Sequence, residues 1–260
     1  LQKFAQARVQ LSGMDASLRM SYDLLDPARQ AALCRLSVFP APFDRPAAAA
    51  VWECDEPTAQ PALDGLVNAS LLEWDAATGF RLHDLVRTFA DGLLSAAERY
   101  AAGLHHAEHY LEIARQAKAL YEQGGDHVLQ GLSLFDLHWA HIQAGQRWTA
   151  AQPEGDEAAA RLCNVYPDAA AYVLDLRLHP EQHIAWLSAA LTAARRLGLR
   201  ASEGNRLGNL GLAYAALGQV EQAIQHYQQA LVIAREIGDR RNEGAWLGNL
   251  GLAYADLGQV

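Results

Sequence analysis

Apolar residues recur every three or four positions along most of this chain, which is the spacing of one face of a helix. Glycine and proline interrupt the pattern and mark the ends of the segments. The pattern predicts helices over residues 1–11, 16–25, 27–36, 47–52, 58–69, 85–95, 97–122, 128–142, 157–178 and 180–197. A bend or break is expected near Pro167, because proline removes a helical hydrogen bond. The chain is therefore predicted to be mainly α-helical.

The pattern changes between the two helical stretches. Residues 71–74 are typical of a short strand, residues 76–79 of a turn that ends in glycine, and residues 80–82 of a second strand. A helix then begins at His83 and Asp84. Several short helices followed by a two-stranded hairpin and a further helix indicate a winged helix.

The last third of the chain contains an internal repeat. The segment EGNRLGNLGLAYAALGQV begins at Glu203, and the near-identical EGAWLGNLGLAYADLGQV begins 40 residues later at Glu243. Small residues such as Gly211 and Ala223 alternate with large ones such as Tyr227 in the order that defines a tetratricopeptide (TPR) repeat. A degenerate copy lies one period upstream. The sequence therefore predicts TPR repeats with a 40-residue period.

These patterns predict a mainly α fold, in which a winged helix with a small two-stranded wing is followed by a helical connector and a TPR-type α-superhelix. The predicted parts are the end of a preceding helical subdomain (1–13), the winged-helix domain (14–96), a degenerate TPR-like connector (97–178) and the TPR repeats (179–260). Because Val260 falls inside a repeat, we expect the array to be truncated there and the chain to be a fragment of a larger protein.

The charge balance argues against direct DNA binding by the winged helix. The chain has a formal net charge of −9, and residues 12–95 hold six arginines, no lysine and twelve acidic residues. The helix that would read DNA falls within residues 56–71, which contain neither lysine nor arginine. Proteins that bind the major groove need cationic side chains to contact the phosphates and usually to contact guanine. A nucleic-acid partner is therefore not expected.

Other function classes are also disfavoured. No apolar run reaches the roughly 18 residues of a membrane helix, and no leader segment opens the chain. Three widely separated cysteines without metal spacing fit a reducing, cytoplasmic location. The only two lysines, Lys3 and Lys118, do not follow a glycine-rich loop, so the chain holds no P-loop for phosphate. We therefore expect no membrane partner and no enzymatic activity of this chain alone.

Two segments carry a family resemblance: ASLRMSYDLLDPARQAALCRLSVFP (residues 16–40) and FRLHDLVRTFA (residues 80–90). Together they resemble the winged-helix subdomain of NB-ARC (STAND-class) signal-transduction ATPases, specifically bacterial NB-ARC–TPR proteins. The family's Met-His-Asp motif corresponds to Leu82, His83 and Asp84. The resemblance implies that His83 binds a phosphate of ADP together with a nucleotide-binding domain outside this chain, and that Asp84 supports it. ADP or ATP would thus be a cofactor only of the full-length protein, which would be an ATPase switch that oligomerises on activation.

The histidines have alternative interpretations. His83 could simply pack at the corner between strand and helix. His105, His106, His109, His138 and His141 lie at helical spacings, without a cysteine partner or an HExxH motif. They are predicted to be solvated surface residues, and no metal site is expected.

Four repeat positions are candidates for partner binding. Asn209 and Asn249 recur at the repeat period on the first helix of each unit, and Arg206 and Trp246 occupy one equivalent position beside them. In TPR arrays this helix lines the concave face, where asparagine side chains can hydrogen-bond an extended peptide. The alternative is that Asn209 and Asn249 only stabilise the helix–helix contact.

The favoured function is the regulatory and sensor part of a nucleotide-dependent signalling switch. Its winged helix would lock the ADP-bound off state, and its TPR arm would bind a protein, a peptide or another effector. The first alternative is a passive TPR scaffold for protein interaction, and the second is a winged-helix DNA-binding transcription regulator.

Overall fold

The structure is a computed structural model that describes residues 16–258, apart from the side chain of Asp175. It divides into two compact units, whose described parts are residues 16–110 and 111–258. The first unit contains α1 (16–23), α2 (Pro27–Arg35), a 3-10 turn (Leu36–Val38), α3 (Arg45–Trp52), α4 (Glu56–Asn68), β1 (Glu73–Asp75), β2 (Gly79–Arg81) and α5 (Asp84–Leu93). The long α6 (Ala96–Gln123) begins in the first unit and ends in the second. The second unit continues with α7 (Asp126–Ala150), α8 (Glu157–Ala169), α9 (Ala171–Arg177), α10 (Pro180–Arg196), α11 (Arg200–Ala216), α12 (Val220–Glu236) and α13 (Arg240–Asp256).

Aspartates begin α2, α3 and α4, the last three helices before the wing. Asp26, Asp44 and Asp55 are the N-caps of α2, α3 and α4, and each side chain accepts a backbone N–H bond of 2.9 Å from the third residue after it. A proline in the first two helical positions follows each cap, where its missing N–H costs nothing. Local sequence therefore defines where these helices begin.

The wing is the predicted hairpin with an additional bridge. β1 and β2 pair antiparallel with Trp74 opposite Phe80, and the Asp75 carboxylate accepts two backbone N–H bonds that close the turn. Phe43 exchanges two backbone hydrogen bonds of 2.8 Å with Phe80, so a third short segment borders the hairpin. Gly79 has φ +88°, and a Cβ there would strike the Phe43 carbonyl, so this turn requires glycine.

The core of the first unit includes a histidine that was predicted to be exposed. His106 is 1% exposed, and its ring lies 5.4 Å from the Phe39 ring and 4.7 Å from the Tyr110 ring. The prediction of a solvated surface residue was wrong for His106, and also for His141 on α7, which is fully buried. His105 and His109 are half-buried, as is His138. The described residues include no group of three side chains suited to holding a metal ion.

The helix predicted over residues 157–178 is split, as expected. The break predicted near Pro167 lies at Ala170, where the backbone leaves the helical region (φ −135°, ψ 27°), and Pro167 itself lies inside α8. The division between the two compact units falls inside α6, after Tyr110. The helix predicted over residues 1–11 lies outside the described residues.

Helices α10 to α13 pack one on the next around a continuous apolar core. Tyr227 of α12 lies over Gly211 of α11, where a Cβ would overlap its ring. Gly218 and Gly238 end α11 and α12 with positive φ, the usual C-terminal conformation of helices. This core confirms the predicted TPR-type stacking.

An ion cluster recurs with the repeat. Glu203 at the start of α11 accepts hydrogen bonds from Arg195 at 2.8 Å and Arg200 at 2.6 Å. Forty residues later, Glu243 is held in the same way by Arg235 at 2.9 Å and Arg240 at 2.7 Å. The cluster therefore ties the last turn of one helix to the first turn of the next in each copy.

We expect Glu203→Gln to lower stability by about 1 kcal/mol at neutral pH, because charge-assisted hydrogen bonds to partly exposed arginines are lost. Burial alone raises the pKa of the Glu203 carboxyl, but the hydrogen bonds from Arg195 and Arg200 outweigh it, so the pKa lies below its usual value. The unfolded-state pKa of a glutamate is about 4.3. Because the pKa is lower in the folded state, the ionised carboxylate stabilises the fold above the unfolded-state pKa, and this stabilisation is lost as the pH falls through the folded-state pKa. Urea unfolding at pH 7 and pH 3 should show a larger difference between wild type and variant at pH 7 than at pH 3. Glu157→Gln, at an exposed ion pair on α8, is the control and should change little at either pH.

Candidate functional site

His83 is exposed at the corner between β2 and α5. It is the N-cap of α5, with an extended backbone (φ −61°, ψ 142°), and its Nδ1 accepts the Leu85 N–H at 3.3 Å. A neutral imidazole that accepts at Nδ1 carries its proton on Nε2, which leaves Nε2 as a donor. Leu82 beside it is buried and fixes the end of the strand in the core. The geometry thus presents an N–H donor at the start of a helix.

Asp84 lies next to His83 at the start of α5. It is the first helical residue of α5 rather than its cap, and its carboxylate accepts a hydrogen bond from Arg87 at 3.0 Å. A carboxylate in the first turn is favourable beside the positive end of the helix dipole. Asp84 therefore stabilises the helix start that positions His83.

Asn209 and Asn249 occupy equivalent half-buried positions on α11 and α13. Within residues 16–258, neither amide side chain forms a hydrogen bond. Asn209 lines a groove of about 460 Å³ formed by residues of α8 to α11, whose wall includes the exposed side chains of Tyr172 and Leu212. A free amide in a largely apolar groove could bind the backbone of an extended chain while side chains fill the groove.

Arg206 lies in the interior instead of beside the asparagines on the surface. It is 2% exposed, and its guanidinium donates to the Asp168 carboxylate, at 2.5 Å for the Nη1 bond, and to the Asn164 carbonyl at 2.8 Å. The Asp168 side chain is 56% exposed, so the pair reaches from the interior to the surface. Arg206 therefore joins α11 to α8.

Trp246, the repeat equivalent of Arg206, is also buried. Its ring stacks near that of Tyr227, with centroids 6.2 Å apart, and lies against Gly208 so closely that a Cβ there would overlap it. Arg206 and Trp246 are thus core residues between helices and are not presented to a partner. Asn164 and Asp168 are additional partners that sequence reasoning missed, since nothing in the sequence links them to a residue about 40 positions away.

The face that would read DNA has few cations. Helix α4 contains no lysine or arginine, and Arg45 on the neighbouring α3 is paired with Glu56 at 2.8 Å. Arg81 on the wing is exposed. A single wing arginine provides little of the phosphate neutralisation on which DNA affinity depends.

Two segments of the chain match models of known protein families. Residues 25–95 match the model of a winged helix-turn-helix domain, and residues 205–260 match that of a tetratricopeptide repeat. The regulatory protein AfsR of Streptomyces coelicolor is 33% identical over 129 residues, which are 46% of this chain and 13% of AfsR. The chain thus contains a winged helix-turn-helix domain followed by TPR repeats, and it spans only a small part of this relative.

One solved structure is similar over most of the chain. It is a signal transduction ATPase with numerous domains (STAND) protein with a tetratricopeptide repeat sensor, from Pyrococcus horikoshii. It is 16% identical with a TM-score of 0.31, and the match covers 91% of this chain and 48% of that one. None of the described helices is both long and apolar enough to cross a membrane.

Proposed function

We propose that this chain is the regulatory part of a nucleotide-dependent signalling switch. Its winged helix-turn-helix domain precedes TPR repeats, as in STAND-type regulators. The winged helix holds the ADP-bound resting state together with a nucleotide-binding domain elsewhere in the protein. The TPR arm receives a protein or peptide, whose binding releases that state and leads to oligomerisation. The similarity to AfsR, a regulatory protein, supports a regulatory role.

The observation that carries the nucleotide proposal is the placement of His83. Its Nδ1 is used to cap α5, its side chain is exposed, and its Nε2 remains a donor for an anionic oxygen. One hydrogen bond to a charged phosphate contributes roughly 1.5–3 kcal/mol. Because the two states of a switch differ by a few kcal/mol, one such bond is sufficient to bias it.

The sensor proposal rests on Asn209, whose amide has no partner in the part of the chain that the structure describes. Exposed Tyr172 and Leu212 border the same groove, so a ligand with an apolar side chain fits it better than a purely polar one. Asn249 offers the equivalent amide one repeat further on. Arg206 and Trp246 support this face from inside.

We expect His83→Ala to remove most of the ADP from the full-length protein that contains this chain. Loss of the phosphate bond should weaken ADP binding by about 10- to 150-fold. The measurement is to purify wild type and variant, denature both, and quantify the released ADP and ATP by chromatography. His127→Ala, at an exposed histidine on α7, is the matched control and should retain the nucleotide.

A second variant separates the phosphate contact from helix capping. Asparagine is a good N-cap, so His83→Asn keeps the cap of α5. Its side chain is shorter, so its N–H donor does not reach as far as Nε2 of His83. If His83→Asn loses ADP as His83→Ala does, the phosphate contact is supported. Full retention of ADP in both variants would make His83 structural, and a wild-type protein without nucleotide would favour the passive TPR scaffold.

A further inference from the structure

A second cleft of the TPR-containing unit lies between α7 and α10, away from the asparagine face. It encloses about 480 Å³, which is within the usual size of small-molecule sites. Its polar lining residues are Gln143, Gln146, Arg147, Gln182 and Trp186. The remaining lining residues are all alanine. The short alanine side chains leave space between the longer polar ones.

The side-chain amides of this cleft have no hydrogen-bond partner among residues 16–258. Gln146 is only 4% exposed, yet its side-chain amide forms no hydrogen bond with any residue that the structure describes. The amides of Gln143 and Gln182 and the indole N–H of Trp186 are equally unpaired within that part of the chain. Gln182 is exposed and Gln143 is half-buried, so these donors and acceptors are available to a molecule in the cleft. A bound polar molecule would supply the missing partners.

The charge of the cleft is unusual for this acidic chain. The lining residues include no aspartate or glutamate, although the chain has a net charge of −9. Arg147 is exposed, its Nε donates to the Gln143 carbonyl at 3.4 Å, and no described carboxylate pairs with it. Its Nη groups therefore remain as donors. The C-terminal end of α7 and the N-terminal end of α10 both border the cleft, so the effects of their helix dipoles oppose each other. The positive guanidinium of Arg147 therefore determines the sign of the electrostatic potential in the cleft.

We propose that this cleft binds a small hydroxylated organic anion, a carboxylate or a phosphate ester. The three amides and the indole provide donors for hydroxyl oxygens, and the amide oxygens accept from hydroxyl groups. Arg147 binds the anionic group through charge-assisted hydrogen bonds, in which a planar guanidinium matches a carboxylate or phosphate. The cleft would then be a ligand site of the sensor, independent of the groove that contains Asn209.

Three sugars with one ring skeleton test this proposal on the purified chain: glucose, glucuronate and glucose 6-phosphate. We expect at least one of the two anions to bind tenfold or more tightly than glucose in isothermal titration, and to raise the melting temperature of the chain. Glucuronate and glucose 6-phosphate distinguish a carboxylate ligand from a phosphate ligand. Inorganic phosphate is included, because equal binding of it would show an adventitious ion only.

Variants locate the binding. Arg147→Gln should remove the preference for the anion, and Gln146→Leu, of similar volume, should weaken all bound sugars tenfold or more. Arg161→Gln, on the exposed surface of α8 and outside the cleft, should leave binding unchanged. Circular dichroism checks that each variant is folded. Absence of binding by both anions, or an equal loss of affinity in Arg161→Gln, would overturn the proposal.

Discussion

Asp168→Asn is expected to destabilise the TPR-containing unit by about 2 kcal/mol. Removing one member of a buried ion pair usually costs about 3–5 kcal/mol, because the other charge is left without compensation. Here the Arg206 guanidinium is buried, but the Asp168 side chain is 56% exposed, so water compensates part of the loss. Urea unfolding followed by circular dichroism measures the change.

The opposite change in the same pair makes the test specific. Arg206→Met replaces the buried charge with an apolar side chain of similar length and leaves Asp168 facing water, so we expect stability within about 1 kcal/mol of wild type. Asp136→Asn is the control, since Asp136 forms an exposed pair with Arg177 and should cost less than about 1 kcal/mol. A loss from Arg206→Met as large as that from Asp168→Asn would show that the pair itself is strongly stabilising.

Two glycines at equivalent repeat positions should respond to the same substitution in opposite directions. Gly208→Ala should destabilise the chain, because its Cβ would overlap the Trp246 ring, whereas Gly248 has nothing within 4 Å of a Cβ. Both variants gain the same helix propensity, about 1 kcal/mol. Their difference therefore isolates the overpacking term, for which we expect about 1–3 kcal/mol.

The comparison is made by thermal and urea unfolding of the two single variants in parallel. The sequence around both positions is LGNLG, so local composition is matched. Gly248→Ala should be neutral or stabilising. Equal stability of the two variants would mean that α11 shifts to accommodate the methyl group, and that the contact between Trp246 and Gly208 is not a constraint.

The sequence predicted the features that are determined locally. The wing follows from the alternating residues around Gly79, whose positive φ requires glycine, and the TPR stacking follows from the repeated order of small and large residues. Helix starts follow from aspartate and proline at the caps. In each of these cases the residues that determine the structure are neighbours in sequence or recur at a fixed period.

The features that sequence reasoning missed depend on contacts between distant residues. The repeat position of Arg206 predicts that it lies on the binding face of a TPR array. Its hydrogen bonds to Asp168 and Asn164 hold it in the interior instead. His106 and His141 carry no sequence signal of burial, since a histidine at helical spacing fits a surface and a core equally well. Of the four candidate partner-binding residues, two lie where a partner could reach them: Asn209 and Asn249.

The position of His83 at the first boundary of α5 has a mechanical consequence. An N-cap residue lies between two backbone conformations, extended before it and helical after it, and its ψ of 142° belongs to the extended one. Adding one residue to the start of the helix would rotate that single angle by more than a right angle and carry the imidazole with it. The side chain is thus attached to a hinge, where a small shift in the helix boundary becomes a large movement of one donor atom.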